Sequence, residues 1–472
     1  MNKTKPQLNV FLLLGIPGFL IICYAIFLNF ISPEFTYAAK PEDGDVVNYV
    51  LVRIFIGIVY ALSVIIFLRK RETSKKILAL IFTAGFIARL ILVPTVPILE
   101  DDFNRYLWDG AVTAKGYNPF QYSPKEFIDS TSSPEVGPEK LHTLANESGK
   151  IIQLINHPHI RTIYPPVAQF GFAISYLIKP WSVPVWKALI LIVDLIVFVL
   201  LLVLLGKLNY IKNLVIIYWW NPILIHEFYS AGHMDILMYP LLLLAVLMFM
   251  KQKYISSTSF LALSAGVKVW PVALIPIVLV KIFKNKKIFF TALVTSALII
   301  LIQLFPIILT KLDNSLGFVT YTKNWTNNEA VFQLINLGIK EIIKLFEINY
   351  HCSLCVARWI VMSLFGVLVL FLSFTSTNNN ERFILKSFLL VTILYLISPT
   401  QFPWYYTWAL PFLVLNPRLS FIIYAAFLPL YQLKYNYPIL IWIEHLPIVI
   451  LFLVELTNKK IANFFDVKKL AK

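Results

Sequence analysis

EDDFNRYLWDGAVTAKGYNPF, residues 100–120, places three consecutive carboxylates directly after an apolar segment of membrane-spanning length. On a helix, Asp102, Tyr106 and Asp109 share one face because they stand at positions i, i+4 and i+7. The apolar positions that point the other way are Phe103, Leu107 and Ala111. Gly116 is placed to end the helix as a C-cap. The stretch therefore predicts a short helix lying on a membrane surface, with its apolar side down and its acidic side up.

The composition is that of an integral membrane protein. The 472 residues are 58% hydrophobic and 14% charged, with a mean hydropathy of +0.74, whereas soluble domains carry about 25% charged residues. The net charge of +16 could indicate a nucleic-acid partner. The Lys and Arg residues, however, stand in short clusters between apolar runs, as the positive-inside rule requires of cytoplasmic loops. The composition therefore favours a lipid bilayer as partner and disfavours nucleic acid.

Apolar runs of about 20 residues, the length that crosses a bilayer, recur along the whole chain. They lie near residues 8–31, 47–68, 77–99, 187–206, 213–226, 235–250, 287–308, 356–375, 384–399, 404–416, 419–433 and 445–457. Residues 255–284 are basic at both ends and too long for one crossing, so we expect a hairpin of two short helices broken at Gly266 to Pro271. The sequence predicts one all-α domain over residues 1–472, with about fourteen spans and both termini inside. Residues 1–75 supply its first two spans.

Charge places the acidic stretch outside the cell membrane. The basic turn RKRETSKK at 69–76 belongs to the cytoplasmic side, so the loop 99–163 is extracytoplasmic, and loops of that length are usually functional. Residues 164–178 are expected to form an interfacial or re-entrant helix, because a full crossing would put the basic segment GKLNYIKN outside. A second outer loop, 309–355, contains the amphipathic run VFQLINLGIKEIIKLFE. Helices next to the membrane are therefore expected on the outer side.

The outer segments carry groups suited to acid–base chemistry. Asp102, or Asp101 beside it, could take a proton from a hydroxyl that attacks an activated carbon. A departing phosphate needs a nearby cation or hydrogen-bond donor. The candidates for that role are Lys268, Arg105, His157 and His233. Lys268 stands in an apolar stretch, where an unused cation is costly.

Further residues are candidates for lining a substrate site. They are Asp109, Tyr106, Tyr164, His233, Asp235, Trp404 and Tyr405. Trp404 and Tyr405 belong to a PWYYTW run, which either stacks on a ligand ring or forms an aromatic belt at the membrane interface. The acids themselves could also be no more than a solvated loop that follows a span.

No metal site or cofactor is expected from the sequence. His226, Glu227 and His233 suggest zinc, but the HExxH pattern needs its second histidine at i+4, and here it stands at i+7. Cys352 and Cys355 form a C-x-x-C pair without a second pair or a nearby ligand set, so we expect neither a metal centre nor a disulfide framework.

Six motifs, in the same order along the chain, resemble the GT-C class of integral-membrane glycosyltransferases. They are ILEDDFNRYLWDGAVTAKGYNPF, INHPHIRTIYPPVAQFGFA, NPILIHEFYSAGHMDIL, AGVKVWP, NWTNNEAVF and SPTQFPWYYTWALP. The nearest likeness is to mannosyltransferases that use polyprenyl- or dolichyl-phosphate mannose, including the bacterial family 87 type and the eukaryotic GPI mannosyltransferase I. The resemblance runs from about residue 76 to the end and departs from the simplest pattern in the two spans that precede it.

The resemblance implies a GT-C-like bundle and an inverting sugar transfer from a lipid-phosphate donor, with no nucleotide sugar and usually no metal. The catalytic aspartate of its first extracytoplasmic loop falls on Asp101 and Asp102. We favour Asp102, because it directly precedes the F-N-R-Y helix and shares a face with Asp109. Whether Glu100, Asp101 and Asp102 bind a divalent cation stays open.

The leading hypothesis from the sequence is a glycosyltransferase of a bacterial inner membrane. It would move a hexose, with mannose the first choice, from polyprenyl phosphate to a hydroxyl of a lipid or glycan on the outer side. Two other hypotheses remain. A secondary transporter of an anionic solute is disfavoured because internal repeats are not evident and the polar residues gather in outer loops. A non-enzymatic assembly factor would tolerate exchange of Asp102 and Lys268.

Overall fold

A computed structural model describes residues 10–70, 72–128, 137–347 and 352–458 of the chain. The described residues form helices and irregular segments, with two isolated backbone bridges, Arg161 to Leu316 and Asn327 to Thr400, and no strand. The prediction of an all-helical protein is confirmed for this part of the chain. Residues 8–9 of the first predicted span, and residues 129–136 and 348–351 of the two predicted outer loops, lie outside the described residues.

Residue contacts group the chain into two compact units, where the sequence analysis expects one domain. The first unit consists of Met1–Ile98, Phe198–Ser230 and Phe402–Lys472. Its longer helices are Val10–Ile31, Asp43–Lys70, Lys75–Leu92, Leu419–Phe427 and Leu440–Thr457. Its short helical segments are Lys212–Val215, Ile216–Trp219, Pro222–Ile225, His226–Ser230, Pro403–Tyr406, Thr407–Ala409, Leu410–Leu415 and Leu428–Leu433. Within it the first and third helices pack together, and the second packs on Leu419–Phe427.

The second unit consists of Leu99–Val197 and Ala231–Gln401. Its helices of eight residues or more are Asp102–Ala114, Glu139–Glu147, Pro166–Ile178, Met238–Met250, Tyr254–Ala265, Ile275–Ile282, Lys286–Ile308, Gly317–Asn324, Val331–Leu345, Ser353–Phe374 and Asn380–Ile397. The shorter segments are Lys125–Ile128, Ile152–Leu154, Met234–Leu237 and Trp270–Leu274. The helix Val183–Lys207 belongs to this unit as far as Val197. The expected helix break after residue 265 is present, since residues 266–269 separate two helical segments.

Six helices are long and apolar enough to cross a membrane, as a multi-pass membrane protein requires. They are Val10–Ile31, Asp43–Lys70, Val183–Lys207, Lys286–Ile308, Ser353–Phe374 and Leu440–Thr457. The number rises to seven if the interrupted pair Pro222–Ser230 and Met234–Met250 counts as one span. The described helices therefore do not add up to about fourteen full spans. Some apolar runs form only short helical stretches with a change of helix type near a proline, as at Pro403–Leu415.

The acidic stretch forms the helix Asp102–Ala114, as predicted, and Gly116 follows it with a φ of +81°. The expectation that its apolar side lies on the membrane and its acidic side faces outward is wrong, because protein covers both sides. Residues 104–112 are buried on every side. One face of the helix packs against Pro166–Ile178, and the other joins an apolar cluster formed mostly by the same loop. That cluster consists of Trp108, Ala111, Val112, Phe127, Leu141, Leu144, Ala145, Ile152, Ile155 and Tyr176. The acidic residues therefore sit in a packed interior.

Gly110 sets how closely these two helices approach, and Gly110→Ala is expected to destabilise the protein by about 1–3 kcal/mol. A Cβ atom at Gly110 would lie 2.5 Å from the carbonyl oxygen of Phe172, which is backbone and has little freedom to move. Gly338→Ala is the matched control, because a Cβ there meets nothing within 4 Å. Thermal unfolding in detergent should show a loss for Gly110→Ala alone. Equal transition temperatures for both variants would contradict this packing.

Cys352 and Cys355 form a disulfide, which the sequence analysis did not predict. The pair spans the start of the helix Ser353–Phe374, where one turn brings the two Cα atoms to 5.3 Å, a separation that a disulfide accommodates. Disulfides persist in oxidising compartments. The pair is therefore a marker for the side of the membrane on which this helix begins.

Candidate active site

The site is built on the turn that enters the acidic helix. Glu100 accepts backbone hydrogen bonds from Asp101 and Asp102 on one carboxylate oxygen, at 3.0 and 2.9 Å. These amides are among those that an α-helix leaves without internal partners at its N-terminus. Leu99, immediately before them, has a φ of +48°, a conformation that costs a non-glycine residue of order 1–3 kcal/mol. Glu100 therefore caps the helix, and the two aspartates are left for other roles.

Both aspartates are held by one amide group. Asn156 donates to Asp101 Oδ1 at 2.7 Å and to Asp102 Oδ1 at 3.2 Å. Asp102 also accepts a hydrogen bond from the Tyr164 hydroxyl. The three acids, Glu100, Asp101 and Asp102, are called the carboxylate cluster below.

Burial changes the acidity of the cluster. The pKa of Asp101 is raised to about 8 by desolvation and by the neighbouring Glu100 and Asp102 carboxylates. Desolvation and Glu100 also raise the pKa of Asp102, but His233 and the hydrogen bonds from Asn156 and Tyr164 oppose the rise. Asp101 is therefore expected to hold a proton at neutral pH, and the net shift of the Asp102 pKa is also upward.

The stability of the protein should fall as pH rises from about 5 to 9, in part because of Asp101. In this window the folded Asp101, with a pKa of about 8, binds a proton that the unfolded side chain, with a pKa of about 3.9, has lost. The stability contributed by that proton is complete below the unfolded pKa and disappears as pH passes the folded one. Asp101→Asn should therefore lose less transition temperature than wild type between pH 5 and pH 9. Asp313→Asn is the control, because the pKa of Asp313 is lowered and its titration is complete below this window. Parallel wild-type and Asp101→Asn curves would contradict the raised pKa.

His233 lies beside the carboxylate cluster. Its Nε2 is 3.2 Å from the second carboxylate oxygen of Glu100, and its Nδ1 is 3.5 Å from the Tyr106 hydroxyl. The Tyr106 ring stacks on Phe172 with 4.8 Å between ring centres and meets Tyr164 edge-on at 5.0 Å. These contacts bring together four of the residues that the sequence assigned to the site: Asp102, Tyr106, Tyr164 and His233.

Lys268 and Asp235 form an ion pair, with 3.3 Å between Nζ and Oδ1. Asp235 is almost fully buried, whereas 17% of the Lys268 side chain remains exposed. The backbone carbonyl of Gly266, two residues before Lys268, accepts hydrogen bonds from Val167 and Ala168 at the start of the Pro166–Ile178 helix. The lysine therefore stands where the break after residue 265 meets this helix.

Arg105 and His157 take positions that the sequence did not indicate. Arg105 donates to the carbonyls of Ile160, at 2.6 Å, and His157, at 3.4 Å, so its guanidinium holds the loop rather than an open site. The His157 ring lies 4.8 Å from the Trp325 ring, edge to face. Desolvation, His159 and Arg105 lower the pKa of His157, so the imidazole is uncharged at neutral pH. Phosphate binding by these two residues stays a prediction, with less support than for Lys268.

The contacts shown for Asp109 lie along the acidic helix and its neighbour, and those shown for Trp404 and Tyr405 lie within the other unit. Asp109 is buried and accepts from Gln169 at 3.3 Å, and desolvation raises its pKa. Trp404 and Tyr405 belong to the other unit, where Trp404 stacks on Phe402 and Tyr405 on Trp408. Their assignment to substrate binding stays a prediction.

His226 and Glu227, considered as zinc ligands in the sequence, belong to a buried polar group of the first unit. Glu227 accepts from Arg53 at 2.9 Å, and His226 Nδ1 lies 2.8 Å from the same carboxylate oxygen. Tyr49 bonds His226 Nε2 and accepts from Arg53 at 3.3 Å. The histidine and the acid thus have protein partners, and His233 lies in the second unit.

The carboxylate cluster is also the group of described residues that could hold a metal ion. Glu100, Asp101 and Asp102 each offer one oxygen atom, and these atoms lie within 4.8 Å of one another. Carboxylate oxygens are ligands that Mg²⁺, Ca²⁺ and Mn²⁺ accept. Both carboxylate oxygens of Glu100 and the Oδ1 atoms of both aspartates already have protein partners.

Asn156 is the residue that the sequence analysis missed. It stands directly before His157 in INHPHIRTIYPP, and its amide is the group that joins the two aspartates. An asparagine in a loop rich in histidine and proline is common, so only the contact reveals its role.

Comparisons with protein-family models, with curated proteins and with solved structures find no match to this chain.

Proposed function

We propose that the chain is an inverting membrane glycosyltransferase. It moves a hexose, with mannose the first candidate, from a polyprenyl-phosphate donor to a hydroxyl of a lipid or glycan acceptor on the extracytoplasmic side. The observation that carries the proposal is the pair Asp101 and Asp102, fixed by Asn156 in a buried turn beside His233. The likeness of six sequence motifs to the GT-C glycosyltransferases, which include these residues, also supports it.

Asp102 is the general base in this proposal. The acceptor oxygen attacks the anomeric carbon of the donor sugar, the acceptor proton passes to Asp102, and the bond between the anomeric carbon and the phosphate oxygen breaks. Polyprenyl phosphate departs with the electron pair of that bond. A positioned base of this kind contributes about 10²–10⁴-fold to a rate.

Asp102 is preferred to Asp101 because of the groups around it, although desolvation raises the pKa of both. A base has to be ionised before it can accept a proton, and hydrogen bonds to a carboxylate favour the ionised form. Asp102 receives such bonds from Asn156 and Tyr164 and lies near His233. Asp101 faces two carboxylates, and its pKa of about 8 keeps it protonated at neutral pH.

Lys268 is the proposed partner of the departing phosphate. Its ammonium group can donate three hydrogen bonds and pairs with Asp235, and part of the side chain stays exposed. Asp235 orients the lysine, and the cation can stabilise negative charge that grows on the phosphate as the bond breaks. In the proposal, His233 and Tyr106 contact the hydroxyl groups of the donor sugar.

The disulfide supports the choice of membrane side. Cys352 and Cys355 stand at the start of the helix Ser353–Phe374, and Arg358 in its second turn donates to the Trp325 carbonyl at 3.0 Å. Trp325 contacts His157, which follows Asn156 in the chain. This series of contacts joins the disulfide end of the helix to the carboxylate cluster. A disulfide favours an oxidising compartment, and thus an extracytoplasmic site.

A transporter of an anionic solute is the second candidate. It is favoured by the interrupted pair Pro222–Ser230 and Met234–Met250, since transporters place ion and substrate sites at broken helices. The buried pair of Arg53 and Glu227 adds an ionisable group inside the protein.

One experiment separates the two candidates. Purified protein in proteoliposomes is given polyprenyl-phosphate mannose with a labelled sugar, and in parallel labelled phosphate as a simple anionic solute. The proposal predicts labelled glycoside and no phosphate accumulation, whereas accumulation without glycoside would favour transport. Repeating the transfer assay in the presence of EDTA shows whether the reaction needs a divalent cation, for which the carboxylate cluster is the candidate site.

A further inference from the structure

We infer that Cys352 and Cys355 form a redox-active site, whose disulfide exchanges with an external thiol while the protein stays folded. The inference is independent of the proposed sugar transfer and uses none of the residues of its mechanism. Four properties of the pair carry it. They are its spacing, its place at the start of a helix, the contacts that hold this helix without it, and its exposure.

The disulfide closes a very small loop. Its two cysteines are only three positions apart in the chain. A disulfide stabilises a folded protein mainly by restricting the unfolded chain, and this restriction grows with the length of the closed loop. Stability is therefore a weak reason for a disulfide of this spacing. Two thiols so close can instead act as one unit, because each can displace a partner from the other.

The pair stands at the N-terminus of the helix Ser353–Phe374. Cys352 is the N-cap residue, and in the disulfide form its side chain makes no capping hydrogen bond to the described first turn. After reduction its sulfur is free to accept from the first helix amides, as N-cap side chains do. The helix dipole also stabilises a thiolate at this end. The helix therefore favours the reduced form, which makes the disulfide easier to reduce.

The start of this helix is also held by contacts that do not involve the disulfide. Arg358, in the second turn, donates to the Trp325 carbonyl at 3.0 Å. Ala357 and Val361 belong to an apolar cluster with the helix Val331–Leu345. We therefore expect the helix to remain in place when the disulfide opens. A redox site needs this property, because the protein has to stay folded in both states.

The pair is accessible from outside the protein. Both cysteines are partly exposed, and Leu354 between them is 40% exposed. Cys352 lies just before the candidate membrane span that begins at Ser353. A thiol in water can therefore reach Cys352 without entering the apolar part of a membrane. Exposed disulfides are the labile ones, whereas structural disulfides resist reduction by glutathione.

The exchange takes two steps. An external thiolate attacks Cys352 Sγ, the bond between the two cysteine sulfurs breaks, and Cys355 departs as a thiolate that takes a proton from water. A second external thiolate then attacks the external sulfur of the mixed disulfide and displaces Cys352, which is protonated in turn. Two external thiols are thereby oxidised to one disulfide, and the cysteine pair gains two electrons and two protons. The two thiols belong to one protein dithiol or to two small molecules.

A redox titration of the wild-type protein in nanodiscs tests the inference. One series uses glutathione buffers of increasing reduced-to-oxidised ratio, and a second uses reduced thioredoxin, a protein dithiol. Free thiols are then counted by maleimide labelling in SDS. The count should rise from one, the free Cys23, to three as the disulfide opens, and the thermal transition should be retained.

The two series distinguish the sources of the thiol. Reduction by glutathione assigns small thiols as the reactant, and reduction by thioredoxin alone assigns a protein dithiol. One labelled thiol throughout both series would overturn the inference and identify a structural disulfide. Opening of the pair only in samples that have lost the thermal transition would overturn it as well.

Single-cysteine variants test which sulfur reacts, in a Cys23→Ser background that removes the remaining thiol. Cys355→Ser keeps Cys352 alone, and Cys352→Ser keeps Cys355 alone. At pH 7 the Cys352 thiol should react with Ellman's reagent about threefold faster or more, because the thiolate at the helix N-terminus is the nucleophile. It should retain half of the reagent as a mixed disulfide. The reduced Cys23→Ser protein, in contrast, should resolve that mixed disulfide through Cys355. A mixed disulfide that persists in this protein would overturn the exchange, and equal rates in the two single-cysteine variants would overturn the role of Cys352.

Discussion

Asp102→Asn is expected to lower the rate of sugar transfer by about 10²–10⁴-fold, the range that a positioned general base contributes. Asparagine has nearly the same shape as aspartate and can still accept from Asn156 and Tyr164 through its amide oxygen. It is far too weak a base to take a proton from the acceptor hydroxyl. The measurement is the initial rate with polyprenyl-phosphate mannose in proteoliposomes, normalised to the amount of folded protein.

Asp101→Asn is the matched control for this result. Asp101 lies on the same amide of Asn156, but its pKa of about 8 leaves it protonated at neutral pH. Asparagine resembles the protonated acid, so we expect a loss of less than about tenfold, which corresponds to 1.4 kcal/mol. Reversed losses in the two variants would identify Asp101 as the base. Near wild-type rates in both would remove the carboxylate cluster from the chemistry.

Arg53→Met should destabilise the protein by about 3–5 kcal/mol, the cost of leaving one member of a buried ion pair without its partner. Arg53 is 2% exposed and Glu227 is 4% exposed, and 2.9 Å separates their charged groups. Arg53 also donates to Tyr49 at 3.3 Å, so the variant loses two contacts in the second helix of the first unit. Thermal unfolding in detergent measures the change.

The double variant Arg53→Met/Glu227→Met provides the comparison. Removing both charges abolishes the uncompensated carboxylate, and a buried pair replaced by apolar residues of similar volume is often near neutral. We therefore expect the double variant to be more stable than Arg53→Met alone. A double variant whose loss equals the sum of the two single losses would show that Arg53 and Glu227 do not interact.

Local sequence patterns predicted the acidic helix well. The helix begins at Asp102 and ends before Gly116, because periodicity and a glycine C-cap are properties of neighbouring residues. Its environment was predicted wrongly. The same face pattern suits a membrane surface or a packed interior, and the residues that bury this helix, such as Leu141 and Leu144, stand in a loop with little apolar periodicity.

The site could be predicted only as far as residue type and order allow. The sequence identified Asp102, His233 and Lys268 as candidates. An ionisable group in or beside an apolar stretch is costly, so it usually has a partner or a function. It gave no sign that Asn156 would hold both aspartates or that Arg105 would turn towards backbone carbonyls. These contacts join residues about 50 positions apart, and they form only when the long loop folds.

The prediction of about fourteen spans rested on hydropathy, which counts apolar residues without asking whether they form one helix. The run at 404–416 is apolar enough, yet its helical stretch reaches only from Pro403 to Leu415, with a change of helix type at Thr407–Ala409, and is too short for a full crossing. Proline fixes φ and lacks a backbone donor, so it starts a helix readily and interrupts one. The same reason explains the short segments around Pro222 and Pro271.

The stereochemistry of the transferred sugar tests the central claim most directly. Purified protein is incubated with polyprenyl-phosphate mannose carrying ¹³C at the anomeric carbon, and NMR follows the configuration while released polyprenyl phosphate is measured. We predict a new glycosidic bond of inverted configuration, one polyprenyl phosphate released for each bond formed, and neither product with Asp102→Asn. A product of retained configuration, or donor recovered intact from active membranes, would contradict Asp102 as the base of an inverting glycosyltransferase.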